Sequence, residues 1–178
     1  MARPVALLAA LGLLLTGCQR WPDSYPPPEQ LPTLPAPPMT SEPAILEFSG
    51  HHVDEHIVRD IWLGYSPVPW RWTEKRPTVK LMVHGTVGLK FIADFTVPAV
   101  TFKDTGPVNI RFLVNGQQVG TVRVTSAGQH HFEKPVYDSW LTPGEENQLG
   151  AEIDRLWIDP SSGAPYGFIL SMIGLTRI

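Results

Sequence analysis

Hydrophobic and polar residues alternate with a period of two through most of the second half of the chain. Residues 79–84 and 89–97 place Val, Leu, Phe or Ala at every second position, with Lys, Thr, Asp or His at many of the positions between. This alternation is typical of strands that have one face in a core and one in solvent. We predict strands at both segments, with further strands at 108–114, 118–125 and 149–154.

Turn signals separate these segments. Asn115-Gly116 accepts the positive φ angles of a tight type I′ hairpin turn. Residues 167–175 are apolar on both faces, which predicts a central strand. Residues 53–62 fit a short helix and an irregular strand equally well. Seven or eight short strands separated by turns predict an all-β fold, an antiparallel two-sheet β-sandwich of the jelly-roll kind.

The first residues have a different character, which predicts export. Arg3 precedes an apolar run that is too short for a comfortable membrane span, the layout of a signal peptide over residues 1–17. Leu15-Thr16-Gly17-Cys18 resembles the bacterial lipobox, whose cysteine carries lipid. That resemblance implies attachment to the membrane through Cys18, and Gln19 after it implies the outer membrane if the cell is Gram-negative. A plain signal peptide and an uncleaved membrane helix remain the alternatives.

Proline divides the exported part into two regions. Residues 19–43 contain nine prolines and almost no apolar periodicity. Such a stretch favours extended polyproline II chain, so residues 18–43 are predicted to be a lipid-anchored tether. Residues 44–178 suit one compact domain with a single core, the β-sandwich.

Charge and cysteine content exclude several kinds of function. Removing residues 1–17 removes one basic residue and changes the net charge from −3 to −4, so we expect no nucleic-acid partner. Cys18 is the only cysteine, which leaves no intrachain disulfide and, once acylated, no thiol nucleophile. The sequence has neither a Gly-x-Ser-x-Gly elbow nor a phosphate-binding glycine loop, and we expect no cofactor.

The order of motifs in residues 48–178 resembles that of jelly-roll, galactose-binding-like sandwich modules, which occur in bacterial cell-surface proteins and attached to some glycosyltransferases. The resemblance depends on four segments: Trp70-Arg71-Trp72-Thr73, Val114-Asn115-Gly116, residues 135–141 and residues 167–175. It implies a sandwich that serves as a binding module.

Aromatic residues supply the candidate binding site. Flat rings can stack on sugar C–H surfaces, and planar polar groups beside them can hydrogen-bond to hydroxyls. The alternative is that some rings close the ends of the sandwich, and Trp72, which leads into the first regular strand, is the one we expect in the core. The candidate ligand-binding residues are Tyr65, Trp70, Arg71, Trp140, Trp157 and Tyr166.

Two patterns raise the possibility of catalysis. His52, Glu55 and His56 match the H-x-x-E-H pattern of some zinc hydrolases, but those enzymes need a firm helix and a third ligand. Glu152 and Asp154 fall on one strand face with Asp159 in the loop beyond, an arrangement that paired-carboxylate hydrolysis could use. We favour a solvated loop for the first group and solvated carboxylates for the second, so neither a catalytic nor a metal site is predicted.

The leading hypothesis is a cell-envelope lipoprotein that displays a non-catalytic binding module for a glycan or another envelope component. The second is a structural lipoprotein that docks into an envelope protein assembly through a sheet edge or an apolar patch. Aromatic rings along a concave groove would favour a sugar, and a flat patch of rings would favour a protein.

Overall fold

A computed structural model describes residues 44–49, 52–64 and 68–178. The signal peptide, Cys18, the proline-rich tether and Tyr65 lie outside the described residues. The described chain is nearly all β, with one short α-helix and two turns of 3-10 helix. In chain order, its strands and helix are β1 (Ala44–Glu47), β2 (Ile57–Ile61), β3 (Arg71–Met82), β4 (Leu89–Val97), α1 (Ala99–Thr105), β5 (Val108–Val114), β6 (Gln117–Val124), β7 (Gly128–Pro135), β8 (Glu146–Ile153), β9 (Trp157–Ile158), β10 (Pro165–Tyr166) and β11 (Ile169–Arg177).

The strands form two antiparallel layers. The first layer has the order β1, β11, β4, β7, and the second has the order β2, β3, β8, β5, β6. Strands β9 and β10 form a separate small hairpin. The predicted antiparallel β-sandwich is confirmed, and β11 is central in its layer, as its apolar faces predicted.

Strand β3 belongs to both layers. Its first residues, Arg71 and Trp72, pair with β11 in the first layer. Its last five residues, from Thr78 onward, pair with β8 in the second layer. The chain therefore crosses between the layers within one strand, and the two ends of β3 serve different parts of the surface.

Phenylalanine side chains fill the space between the layers. Phe112 from β5 lies against Phe132 from β7 with ring centroids 4.2 Å apart and planes only 12° from parallel. Phe91 and Phe95 from β4 lie 5.5 and 5.7 Å from the Phe112 ring. Because aromatic side chains bury large apolar areas, these contacts make the centre of the sandwich a firm support for its surfaces.

The Asn115-Gly116 turn forms as predicted. Asn115 has φ 47° and Gly116 has φ 81°, the left-handed values that a type I′ turn requires. The Asn115 side chain also donates to the Oδ1 atom of Asn147, which is fully buried in β8. Asn147 in turn holds the preceding loop through both the N–H and the carbonyl of Thr142.

Polar hydrogen bonds explain why β8 begins three residues before its predicted start. The segment Glu146-Asn147-Gln148 is polar and carries no hydrophobic alternation, so the sequence pattern placed the strand at Leu149. The buried Asn147 amide takes the place of an apolar side chain because each of its polar atoms has hydrogen-bond partners.

Helix α1 and strands β1, β7, β9 and β10 were not predicted from the hydrophobic pattern. Helix α1 is seven residues long, too short to show helical periodicity, and it ends at Gly106, whose φ is 67°. Strand β1 has four residues and depends on pairing with β11.

The ambiguous residues 53–62 contain both of the structures considered, a 3-10 helix over Val53–His56 followed by β2. Within the described ranges, no helix is long and apolar enough to cross a membrane.

Candidate functional site

Five aromatic rings gather at one end of the molecule. We call Trp62, Trp70, Trp72, Trp157 and Tyr166 the aromatic cluster. The Tyr166 ring is its centre, with centroids 4.9 Å from Trp62, 4.9 Å from Trp72 and 5.7 Å from Trp157. Trp70 joins through Trp72 at 6.5 Å, with the two rings perpendicular. Trp62 is 42% exposed and the other four are half-buried, so the cluster keeps ring surface in contact with solvent.

A buried threonine places Trp72 beside Tyr166. The Thr73 hydroxyl donates to the Phe168 carbonyl at 2.7 Å and accepts from the Phe168 N–H at 3.1 Å. The Thr73 backbone N–H also donates to the Phe168 carbonyl, and the Gly167 N–H donates to the Thr73 carbonyl. These four hydrogen bonds, the Thr73–Phe168 clamp, tie the start of β3 to the chain just before β11.

Close packing at Gly167 makes the clamp compact. A Cβ atom at Gly167 would lie 2.6 Å from the Glu74 carbonyl oxygen, closer than real Cβ atoms approach. Only glycine lets the chain after Tyr166 run so near β3.

The β9–β10 hairpin brings the rings of Trp157 and Tyr166 together. Trp157 and Tyr166 are directly paired across it. The loop between them is organised by Asp159, whose carboxylate accepts hydrogen bonds from the hydroxyls of Ser161 and Ser162. The Ser162 hydroxyl is the main cause that holds the pKa of Asp159 below its usual value. Asp159 therefore has a structural role in shaping the loop that carries the two rings.

A shallow polar groove adjoins the cluster at Trp157. It has a volume of about 470 Å³ and is lined by residues that include Asp104, Arg155 and Trp157. The Trp157 indole N–H donates to the Asp104 carboxylate at 2.8 Å, and Arg155 donates to the Thr105 carbonyl at 3.0 Å. These bonds connect the hairpin to the end of α1 and fix the orientation of the Trp157 ring.

The cluster and the groove together provide two kinds of contact. The ring faces offer flat apolar surface, and the carboxylate and guanidinium groups beside them offer hydrogen-bonding partners in a fixed position. An aromatic surface with a few placed polar groups is the usual composition of a small-molecule binding site.

No family model matches the chain, and no curated protein matches it. Solved structures with a similar fold include an acetyl xylan esterase from the rumen bacterium Butyrivibrio proteoclasticus, at 12% identity and a TM-score of 0.45 over 76% of this chain. A Podospora anserina GH26-CBM35 β-(1,4)-mannanase has 12% identity and a TM-score of 0.41 over 76% of this chain. A family GH115 4-O-methyl-α-glucuronidase with specificity for decorated arabinogalactans has 11% identity and a TM-score of 0.43 over 82%.

The chain spans only 34%, 28% and 19% of the lengths of these three proteins.

The structure brings together three of the residues proposed from sequence as ligand-binding, namely Trp70, Trp157 and Tyr166. It adds Trp62, which is not among the candidate ligand-binding residues named from the sequence, and Trp72, which was expected in the core. Trp72 is half-buried because its neighbours Arg71 and Thr73 take the interior positions of β3. The expectation that Trp72 is a core residue is therefore wrong, and alternation along β3 is the signal that identifies the correct face.

Arg71 does not reach the ligand surface on which the sequence analysis placed it. Its side chain is only 4% exposed, and Nη1 makes long contacts with the carbonyls of Phe48 and Trp70, at 3.5 and 3.3 Å. Its Nε atom has no hydrogen-bond partner among the described residues. We remove Arg71 from the candidate ligand-binding set because burial keeps its guanidinium from solvent.

Trp140 lies apart from the cluster. It packs on Tyr137 with ring centroids 4.8 Å apart, and its carbonyl accepts a hydrogen bond from Asn115. The Gln148 N–H donates a hydrogen bond to the Asn115 side chain, and Gln148 pairs with Lys80 across the sheet. Lys80 lies near the end of β3, whereas Trp72 lies near its start. Eight residues of extended strand separate these two positions, a span of up to roughly 26 Å.

The zinc-hydrolase pattern does not assemble into a site. Val53–His56 is one turn of 3-10 helix, in which the His52 Nδ1 atom lies 2.8 Å from the Glu55 carboxylate. His56 turns instead toward the Lys80 carbonyl, at 3.1 Å. Over residues 44–49, 52–64 and 68–178, no group of three His, Cys, Asp or Glu side chains is placed to hold a metal ion.

The carboxylates proposed as a hydrolytic pair have separate structural partners. Glu152 accepts from the guanidinium groups of Arg76 and Arg111 on the neighbouring strands. Asp154 accepts from the backbone and the side-chain amide of Asn109. The Arg111 hydrogen bond is the largest cause of the lowered pKa of Glu152, and the Arg76 hydrogen bond adds to it.

We expect Thr73→Val to lower the free energy of unfolding by about 1–3 kcal/mol, because it leaves the Phe168 N–H without its hydroxyl acceptor in the interior. Urea unfolding followed by circular dichroism and by tryptophan fluorescence measures the loss. Thr121→Val, at an exposed position of β6, is the matched control. Equal stability of the two variants would contradict the structural role of the clamp.

Acid should remove the stabilisation that Glu152 provides. A carboxyl whose pKa is lowered in the folded state stabilises the fold above its unfolded-state pKa, about 4.3 for Glu, and loses that effect as the pH falls through the folded-state pKa. Glu152→Gln should therefore be less stable than the parent protein at pH 7, and the difference should shrink below about pH 4.3. Urea unfolding from pH 7 to pH 2.5 tests this. A difference that stays constant over the range would exclude the ion pairs as its cause.

Proposed function

We propose that this protein is a non-catalytic glycan-binding module, and that the aromatic cluster is its binding site. The observation that carries the proposal is the gathering of five rings from four separate parts of the chain around Tyr166, with ring surface left in contact with solvent. Rings that only closed the end of a core would be buried. The polar groove beside Trp157 supports a sugar ligand, because hydroxyl groups need hydrogen-bonding partners next to the stacking surface.

The fixed orientation of Trp157 adds to this proposal. A binding surface loses less conformational entropy when its side chains are already ordered in the free protein. Trp157 is ordered by its hydrogen bond to Asp104 and by its contact with Tyr166. Sugar rings offer a small apolar area, so this ordering raises the affinity that one stacking contact can provide.

The binding test uses the full chain on a glycan array of bacterial-envelope and plant cell-wall oligosaccharides, followed by calorimetry with the best binder. We expect Trp157→Ala to weaken that binding by about tenfold or more, the cost typical of losing a central aromatic contact. Tyr137→Ala removes a ring that is 69% exposed but lies outside the cluster, and its affinity should be unchanged. Absence of binding to every glycan on the array, or an equal loss in both variants, would overturn the proposal.

A second candidate function is docking to an envelope protein. Exposed apolar side chains lie next to the cluster in sequence, with Leu63 71% exposed after Trp62 and Ile158 54% exposed after Trp157. Apolar side chains around aromatic rings are also typical of protein interfaces. Leu63→Glu and Ile158→Glu distinguish the two functions. If the protein docks to an envelope protein, these variants should no longer capture that partner from envelope extracts. If it binds a glycan, they should retain the affinity of the parent protein for the glycan.

We further propose that the module is displayed from a membrane through lipid on Cys18, with residues 18–43 as the tether. Two or three acyl chains hold a protein on a bilayer much more firmly than one chain, since each buried methylene contributes about 0.8 kcal/mol. This arrangement would place the binding surface outside the cytoplasm. If the cell is Gram-negative, the lipid anchor would lie in the outer membrane.

Labelling with radioactive palmitate in a bacterial host tests the anchor. The full chain should incorporate the label and sediment with membranes, because a lipobox directs transfer of a diacylglyceryl group, which carries the palmitate as an ester, to the cysteine sulfur. Cys18→Ser should incorporate no label. An unlabelled, unprocessed parent protein in the cytosol would exclude the anchor but would leave the glycan-binding test unaffected.

A further inference from the structure

A second surface with different chemistry lies on the solvent face of the β2, β3, β8, β5, β6 layer. A depression of about 270 Å³ there is lined by Arg59, Arg76 and Glu152, with the Thr78 and Gln148 side chains beside them. A second depression of about 300 Å³ continues from it toward β6, sharing Glu152 and adding Arg111 and Gln118. We call the two depressions together the arginine groove.

Glycine forms the floor of the groove. Gly150 stands between Thr78 of β3 and Leu113 of β5 in the sheet register. A Cβ atom at Gly150 would lie 2.6 Å from the Pro77 carbonyl oxygen, so the close strand approach permits no side chain there. The backbone floor leaves room for a ligand between the flanking arginines.

Positive charge exceeds negative charge along the arginine groove. Arg76 and Arg111 both bind the single carboxylate of Glu152, whose side chain is 19% exposed beneath guanidinium-bearing side chains that are 56% and 46% exposed. Arg59 donates from Nε to the Thr78 hydroxyl and has no carboxylate partner among the described residues. Arg76 and Arg111 thus share one carboxylate, and Asp154, the other carboxylate that lines the groove, accepts hydrogen bonds from Asn109. Three guanidinium groups therefore face two carboxylates, and Arg59 has no ion-pair partner among the described residues.

These guanidinium groups retain unused donors. Each guanidinium has five N–H donors, and the described contacts use Nε of Arg59 and the Nε and Nη2 atoms of Arg76. Glu152 holds Arg76 and Arg111 in place from below, so their remaining N–H groups face solvent in a fixed arrangement. A guanidinium matches the geometry of a carboxylate through two parallel hydrogen bonds.

The neutral groups of the groove indicate which kind of anion it suits. Gln148, Gln118 and Thr121 supply amide and hydroxyl groups along its course from β3 to β6, a distance of about 14 Å for three strand spacings. Nucleic-acid binding uses aromatic rings that stack on bases, and none lines either depression.

We propose that the arginine groove binds an acidic oligosaccharide, a chain of sugars that present carboxylate groups, at a site separate from the aromatic cluster. The guanidinium groups of Arg59 and Arg76 bind the carboxylates, and the amide and hydroxyl side chains bind the sugar hydroxyls.

Calorimetry on the full chain tests the proposal with tetragalacturonic acid as the probe and its methyl ester as the uncharged counterpart. The free acid should bind, the ester should bind about tenfold more weakly or not at all, and the affinity for the acid should fall as salt is raised from 20 to about 300 mM. Arg59→Gln and Arg76→Gln should each weaken binding about tenfold, the effect of losing one charge-assisted hydrogen bond. Arg59→Lys should recover part of the loss, because it restores the charge without the two-pronged geometry.

Arg177→Gln, at the end of β11 in the other layer, removes the same charge and should bind as the parent protein does. Tyr137→Ala, which removes an exposed ring outside both surfaces, should also bind the acid as the parent protein does. Equal affinity for acid and ester, unchanged affinity in both arginine variants, or no binding of the acid would each overturn the proposal. Tighter binding of a single-stranded oligonucleotide than of the acid would replace the sugar with a phosphate-bearing ligand and would also overturn it.

Discussion

The passage of β3 from one layer to the other is the constraint on which both candidate surfaces depend. At its start, the Thr73–Phe168 clamp fastens β3 to the first layer and sets Trp72 against Tyr166. At its end, pairing with β8 puts Thr78 beside Gly150 in the second layer, and Arg76 just before it binds Glu152 of β8. A single strand therefore carries a stacking residue at one end and a charged residue toward the other. Displacing the strand along its axis would disturb both surfaces.

The two surfaces use different physical interactions. The aromatic cluster presents apolar ring area, for which removal of water supplies the free energy of contact. The arginine groove presents fixed charges, whose attraction for a ligand acts over a longer range and weakens with salt. If both proposals hold, one chain would bind a polymer that has uncharged stretches and acidic branches. The phenylalanine packing between the layers, centred on Phe112 and Phe132, supports both surfaces from the interior.

Hydrophobic alternation located β4, β5, β6 and the end of β3 because each of them lies half in the core. It did not predict β7, in which only Phe132 is buried. It was less successful where polar side chains enter the interior. Asn147 is buried with its hydrogen bonds satisfied, so β8 starts before its apolar residues begin. Arg71 is buried although it is charged, so the expected order of interior Trp72 and exterior Arg71 is reversed. Neither residue could be assigned from residue type alone, since burial of a polar group depends on partners that the fold brings from elsewhere in the chain.

Local chemistry in the sequence determined the strand pattern, the Asn115-Gly116 turn and the sandwich class, because each depends on neighbours within a few residues. The sequence also supplied an excess of aromatic residues, three of which, Trp70, Trp157 and Tyr166, are now in one cluster. Only the tertiary structure decided that Trp62 and Trp72 join them, that Trp140 does not, and that Arg59, Arg76 and Arg111 share one groove. Strand register brings together residues as far apart in the chain as Ala44 and Leu175, and register is a property of pairing between strands that no single segment contains.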